Sequence, residues 1–153
     1  MSDEPGASML VEDQMCFALY AASRAVTGLY RPLLDELGLT YPQYLVLLVL
    51  WAEGPSQVKD IGAALALDYG TLSPLIKRLE KAGLVSRQRK ADDERSVQVV
   101  LTDEGVALRE KARAVPPVIA EAMNLPAERF DDLRAGLRQL TDSVVAYTGQ
   151  LDG

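Results

Sequence analysis

The stretch DYGTLSPLIKRLEKAGLVSRQRKADDERSVQVVLTDEG, residues 68–105, decides the fold. Asp68 is a favoured helix N-cap, Leu72, Leu75, Ile76 and Leu79 come next on one helical face, and Gly83 marks the helix end. The opposite face carries Tyr69, Gly70, Thr71, Ser73, Pro74, Lys77, Arg78 and Lys81. An apolar back holds such a helix to a domain, and a polar, basic front suits the major groove of DNA. Small residues at its N-terminus let the backbone come close to a ligand. Pro74 leaves the Gly70 carbonyl without its helical donor, which costs up to about 3 kcal/mol and is tolerable only on a solvated or ligand-facing side. An ordinary surface helix shares this amphipathic pattern, so the helix alone does not decide the matter.

The segment after the helix decides it. Residues 85–90 and 97–101 read as two strands; in the second, Val97, Val99 and Leu101 alternate with Gln98 and Val100. The polar turn Ala91-Asp92-Asp93-Glu94 makes them a hairpin, and Arg87, Arg89 and Lys90 make it basic. Directly after a helix-turn-helix such a ribbon is a wing, whose tip can lay an arginine in the minor groove. Arg95 stands where the tip meets the second strand, and Asp93 is placed to hold its guanidinium by a charge-assisted hydrogen bond. The blander reading is a solvated turn with a surface ion pair.

Upstream, Ser56 reads as the N-cap of a short helix with Val58, Ile61 and Leu65 on one face, and a tight connection at Ala66-Leu67 leads to Asp68. This completes the helix-turn-helix. Thr40 and Pro42 open an earlier helix that ends near Gly54-Pro55. The first helix spans 11–37, with a bend expected at Pro32 and Gly38 as its cap. Downstream, Thr102 caps a fifth helix disturbed at Pro116-Pro117, and Pro126 opens a sixth that runs to about Gln150. The expected architecture is mainly α: six helices and a small β-hairpin wing in a single domain over 1–153. Residues 42–101 form the DNA-binding part, and 11–37 and 103–151 the dimerisation helices.

Composition narrows the function. The 153 residues are 48% apolar, enough for a core, yet no run of 18 apolar residues suggests a membrane span. The acidic opening residues do not read as a secretion signal, and a lone free thiol, Cys16, fits the reducing cytoplasm. With no histidine and one cysteine, the usual transition-metal sites and histidine-based triads are excluded, so neither metal, cofactor nor enzyme activity is expected. The net charge of −6 hides an asymmetry: from Lys77 to Arg95 seven basic residues meet four acids, a window of +3 in a chain that is −9 elsewhere. DNA binding needs a basic footprint, not a basic protein.

Two helical stripes remain. Phe130, Leu133, Leu137, Leu140, Val144, Tyr147 and Leu151 recur at alternating spacings of 3 and 4, a coiled-coil-like seam. An internal core could use it, but a two-fold partner is the economical occupant and would set two reading helices on two half-sites. On the first helix, Cys16, Tyr20, Ser23, Thr27, Tyr30, Leu34 and Leu37 form a stripe that is half polar or aromatic. Cys16 and Tyr20 are neighbours one turn apart, whereas Cys16 and Tyr30 are separated by about 21 Å along a straight helix. In an antiparallel two-fold pair crossing near Ser23, Cys16 would meet Tyr30 of the partner subunit, and Tyr41 could join them. Phenolic hydroxyls donate to a thiolate, the form that peroxides attack. The alternative is a small buried cysteine among packing tyrosines.

The residues Asp93-Glu94-Arg95 followed by Leu101-Thr102-Asp103-Glu104-Gly105 resemble the D-x-R…LT-x-x-G signature of MarR-family regulators, and the order of helices and wing is similar throughout. The resemblance implies a dimer through the first, fifth and sixth helices, Arg95 in the minor groove, and Thr71, Ser73, Pro74, Lys77 and Arg78 reading the major groove. Three further runs, 16–24 (CFALYAASR), 29–35 (LYRPLLD) and 39–45 (LTYPQYL), resemble the OhrR branch, the organic-hydroperoxide sensors. That resemblance implies a repressor whose Cys16 is oxidised, with Tyr30 and Tyr41 as its hydrogen-bonding partners, and which then releases a pseudo-palindromic operator. Some members resolve the oxidised cysteine with a second one. This chain has none, so a low-molecular-weight thiol is the expected partner of oxidised Cys16. Three rivals stand beside this reading: a repressor answering a phenolic ligand without redox chemistry, a thiol peroxidase, and an interaction module whose wing touches protein.

Overall fold

The order of caps along the chain sets the order of elements in the computed structural model, which describes residues 6–90 and 93–151, the side chains of 93–96 excepted. A 3-10 turn, Val11–Asp13, precedes α1 (Met15–Asp35), α2 (Tyr41–Glu53), β1 (Ser56–Gln57), α3 (Val58–Leu65), α4 (Tyr69–Lys81), β2 (Val85–Lys90), β3 (Asp93–Leu101), α5 (Asp103–Ala112), α6 (Val115–Met123) and α7 (Ala127–Leu151). The chain divides into two compact units, Met1–Pro116 and Pro117–Gly153.

In the first unit the expected caps act as such. Thr40 and Gln43 form a reciprocal capping box at the start of α2, with the Thr40 N–H donating to Gln43 Oε1 at 2.9 Å. Asp68 Oδ1 accepts from the Thr71 N–H at 2.9 Å and opens α4. Gly83, at φ +76°, reverses the chain after α4 so that the Leu84 N–H reaches the Leu79 carbonyl at 3.0 Å. Leu72, Ile76 and Leu79 on α4, Leu47 and Leu50 on α2, Ile61 on α3 and Val99 on β3 are almost wholly buried, so the reading helix is anchored on all sides of its apolar back. Each such side chain stabilises the unit by about 1.5–3 kcal/mol relative to exposure. α1 continues through Pro32 to Asp35, and Leu34 near its C-terminus is buried.

The structure corrects four expectations. Ser56 is not the N-cap of α3: it pairs with Val99 in a third strand, its hydroxyl donates to the Gly54 carbonyl at 2.9 Å, and Gln57 takes the cap position without a side-chain cap bond. The sheet is therefore three-stranded, in the order β1-β3-β2. The fifth helix divides at 113–114, ahead of the prolines, because Pro116 and Pro117 then fall in the first turn of α6, where no helical N–H is required. The first helix begins at Met15 rather than Val11. The second strand begins at Asp93 rather than Val97: Arg89 pairs with Val97 but Lys90 pairs with Asp93, so residues 94–96 bulge from the ladder.

The turn between α3 and α4 places Ala66 at φ +53°, with the Leu67 N–H donating to the Gly62 carbonyl at 3.0 Å. Glycine is the residue that adopts this backbone without a Cβ penalty. Ala66→Gly is expected to raise stability by roughly 0.5–1 kcal/mol after the added unfolded-chain entropy is subtracted. A lower urea midpoint would contradict it.

In the second unit, α7 buries none of its residues. Leu133, Leu137, Leu140, Val144, Tyr147 and Leu151 all stand exposed along it, while Phe130 is half-buried beneath the Arg134 guanidinium, 5.5 Å from the ring centre.

Candidate nucleic-acid interface and thiol site

The front of α4 is open. Tyr69 is 67% exposed, Thr71, Pro74, Lys77, Arg78 and Lys81 are exposed or partly so, and Ser73 is half-buried. Pro74 therefore lies on the solvated side that its missing donor demands. Arg89 is exposed on β2. Asp93 and Arg95 have their backbone in β3, Arg95 within the bulge; their side chains lie outside those described. Hydrogen bonds from Thr71 hold the Asp68 carboxyl below its usual range, so the α4 cap is ionised at neutral pH.

An ion pair missed in the sequence ties the two reading elements together. Arg87 Nε on β2 donates to Glu80 Oε1 on α4, both side chains about one-third exposed. A pair this open contributes less than about 1 kcal/mol to stability. It bridges the first strand of the wing to the last turns of the reading helix. Glu80→Gln is expected to leave stability within about 1 kcal/mol of wild type while lowering the ratio of specific to non-specific DNA affinity. Titration of two duplexes at one salt concentration checks this, and an unchanged ratio refutes it.

The joint at the base of the wing is built from the residues of the LT-x-x-G run. Thr102 Oγ1 donates to the Gly83 carbonyl at 2.6 Å and accepts from the Gly105 N–H at 3.1 Å, and the Thr102 N–H donates to the Leu84 carbonyl at 3.1 Å. One residue thus caps α5 and staples it to the end of α4.

The thiol site is split along α1. Cys16 is exposed, as are Met15, Phe17 and Tyr20 around it. Tyr20 does not join the other tyrosines; the Arg24 guanidinium lies 5.6 Å from its ring centre. About one and a half turns before its end, α1 meets α2, and there Tyr30 and Tyr41 come together with ring centres 4.6 Å apart. Tyr44, unforeseen as a site residue, completes the cluster at 5.8 Å from Tyr30 and is itself buried. Its signal in the sequence was its place one turn after Tyr41. Burial, reinforced by repulsion from the phenolates of Tyr41 and Tyr44, pushes Tyr30 up to about 12, and burial likewise raises Tyr41 and Tyr44. All three are therefore neutral hydrogen-bond donors at neutral pH. Beside Tyr41, a groove of about 710 Å³ is lined by Arg24, Thr27, Arg31, Leu34 and Pro42 among others.

The family model for the transcriptional regulator SarA/Rot matches residues 28–112. An organic hydroperoxide resistance transcriptional regulator from Bacillus subtilis (strain 168) is 46% identical over 136 residues, covering 89% of this chain and 92% of its own. The regulator MgrA of Staphylococcus aureus is 40% identical over 124 residues, covering 80% and 84%. Among solved structures, reduced AbfR bound to DNA (AbfR is from Staphylococcus epidermidis) superimposes with a TM-score of 0.70 at 35% identity, covering 88% of this chain and 94% of that one. The chain belongs to the SarA/Rot transcriptional regulators, a MarR-type winged-helix family. Within that family its likeness runs to the hydroperoxide-resistance regulators.

Proposed function

We propose that this protein is a homodimeric transcriptional repressor that holds its operator while Cys16 is reduced and releases it when an organic hydroperoxide oxidises Cys16. The observation that carries the reading is the split thiol site: an exposed thiol at one end of α1 and a cluster of neutral tyrosine donors at the other. A thiol cannot reach those donors along its own helix, about 21 Å away. An antiparallel two-fold partner brings them together and covers Met15, Phe17 and Tyr20, while a paired α7 covers its exposed seam. The B. subtilis relative is named for organic hydroperoxide resistance and AbfR is solved on DNA in its reduced state, which supports the signal and the ligand.

The chemistry balances with this chain's own thiol. The Cys16 thiolate attacks the terminal peroxide oxygen, the O–O bond breaks, and the leaving alkoxide takes a proton and departs as an alcohol. Cys16 becomes a sulfenic acid. A small thiol then attacks the sulfenic sulfur, expelling water and leaving a mixed disulfide, since the chain holds no second cysteine. The added bulk forces the tyrosine cluster apart and changes the spacing of the two reading helices. On this reading the protein is a cytoplasmic regulator rather than an enzyme.

The test uses a duplex that the reduced protein selects from a random-sequence library. Binding is measured before and after cumene hydroperoxide with free cysteine, together with intact mass. A mass gain on Cys16 accompanied by loss of binding is expected. Binding that survives full modification of Cys16 overturns the reading. The groove beside Tyr41, with two guanidinium groups on its wall, favours one second reading: an anionic phenolic ligand as signal. Release by salicylate with no change in mass would select it.

A further inference from the structure

The tyrosine cluster and the DNA-reading head occupy different parts of the first unit, yet a continuous line of contacts joins them. Tyr30 lies 5.8 Å from Tyr44, and Tyr44 meets Trp51 edge-on at 6.4 Å with an interplanar angle of 69°. Trp51 Nε1 donates to the Gly105 carbonyl at 2.9 Å, a bond from α2 across to α5. The Gly105 N–H donates to Thr102, which donates on to Gly83, and α5 passes so near the wing base that a Cβ added at Gly105 would fall 2.1 Å from the Leu84 carbonyl oxygen. Gly83 and Leu84 form the joint where α4 ends and the wing begins.

We propose that Trp51 is a positioning residue for regulation, carrying a displacement of Tyr30 and Tyr44 to the joint between reading helix and wing. This rests on Cys16 being the sensor. The parts suit the task. Aromatic pairs hold preferred tilted geometries and a close-packed interior does not absorb a ring shift continuously, so a moved Tyr44 moves Trp51. The indole N–H belongs to a half-buried side chain and has a directional acceptor, so Trp51 cannot move without pulling on Gly105 or breaking that bond. Thr102 bonds the start of α5 to Gly83 and Leu84, so α5 passes the motion to the joint.

Trp51 is also the only tryptophan in the chain, so its emission reports its own surroundings. The test compares wild type with Trp51→Phe, which keeps an aromatic ring and removes the donor. Both are treated with cumene hydroperoxide and free cysteine, and Cys16 modification is tracked by intact mass. Wild type is expected to lose affinity for the selected duplex by a factor in the roughly 5–150-fold range of allosteric couplings, and Trp51→Phe, equally modified, by a markedly smaller factor. Equal factors at equal modification overturn the relay and leave the sensor standing. Modified wild type that keeps its affinity overturns both. A second measurement covers a variant that folds poorly. Trp51 emission in wild type should change on oxidation and stay constant in Cys16→Ser; constant emission in oxidised wild type overturns the relay.

Discussion

Gly105→Ala is expected to destabilise the protein by about 3 kcal/mol or more, the upper end of what inserting one methyl into a packed site does. A Cβ at this position would sit 2.1 Å from the Leu84 carbonyl oxygen and 3.1 Å from Leu101 Cδ2. The first neighbour is backbone and cannot rotate away. Nor can it retreat, because that carbonyl already accepts the Thr102 N–H and Leu84 is held to Leu79 by the reversal at Gly83. For a domain stable by about 5–15 kcal/mol this is a large fraction of the total. Gly136→Ala provides the contrast: a Cβ there meets nothing within 4 Å, and in the middle of α7 it should be neutral or stabilising by up to about 1 kcal/mol. Urea unfolding of the two variants checks both. Equal midpoints would mean that the α5–Leu84 contact is looser than its geometry.

Cys16→Ser is expected to abolish release by peroxide while leaving DNA binding in the absence of peroxide within about twofold of wild type, since a near-isosteric exchange remote from the DNA-reading elements should shift the binding free energy by less than about 0.5 kcal/mol. The side chain is exposed on α1, nearly isosteric with serine, and on no element that faces DNA. The loss should be complete because a serine hydroxyl does not ionise near neutral pH and has no sulfur to be oxidised. Tyr30→Phe is the graded companion. Removing one neutral donor from a charged acceptor forfeits roughly 1.5–3 kcal/mol, so oxidation at neutral pH should slow by about tenfold or more. Stopped-flow oxidation and gel-shift release measure the two effects. Cys16→Ser protein that leaves DNA as readily as wild type would remove Cys16 from the mechanism.

The parts of this molecule that could be read from its sequence are those whose signal is local. Asp68, Thr40, Thr102 and Gly83 act at helix ends through bonds to residues three to five positions away, so each cap is written where it operates. The amphipathic back of α4 is equally local, and all four of its apolar positions are buried. The features that escaped depended on distant pairing. A two-residue strand at Ser56 has no periodicity of its own and exists only because Val99 pairs with it 43 positions later. Tyr44 and Trp51 read as core positions of an apolar helix; their part in the aromatic line comes from where α1 and α5 dock on α2. The Glu80–Arg87 pair spans a chain reversal. The grouping of Cys16 with Tyr20, Tyr30 and Tyr41 comes from resemblance and helical spacing, and within the described chain only Tyr30 and Tyr41 of that set come together. Along α1 the spacing alone could not show that the stripe passes from exposed at Cys16 to buried at Leu34.

The bulge in the wing has a consequence for how such a protein can vary over evolution. From Val85 to Arg89 the β2–β3 ladder keeps one register, and β1 pins β3 again at Val99 and Gln98. Beyond Arg89 that register lapses, and residues 94–96 already stand outside it. A residue gained or lost at the tip would therefore alter how far the wing extends without shifting Val99 in the core or turning α4 against its support. Insertions and deletions are best tolerated at exposed loop tips. In this architecture the reach of the wing and the aim of the reading helix are separately heritable.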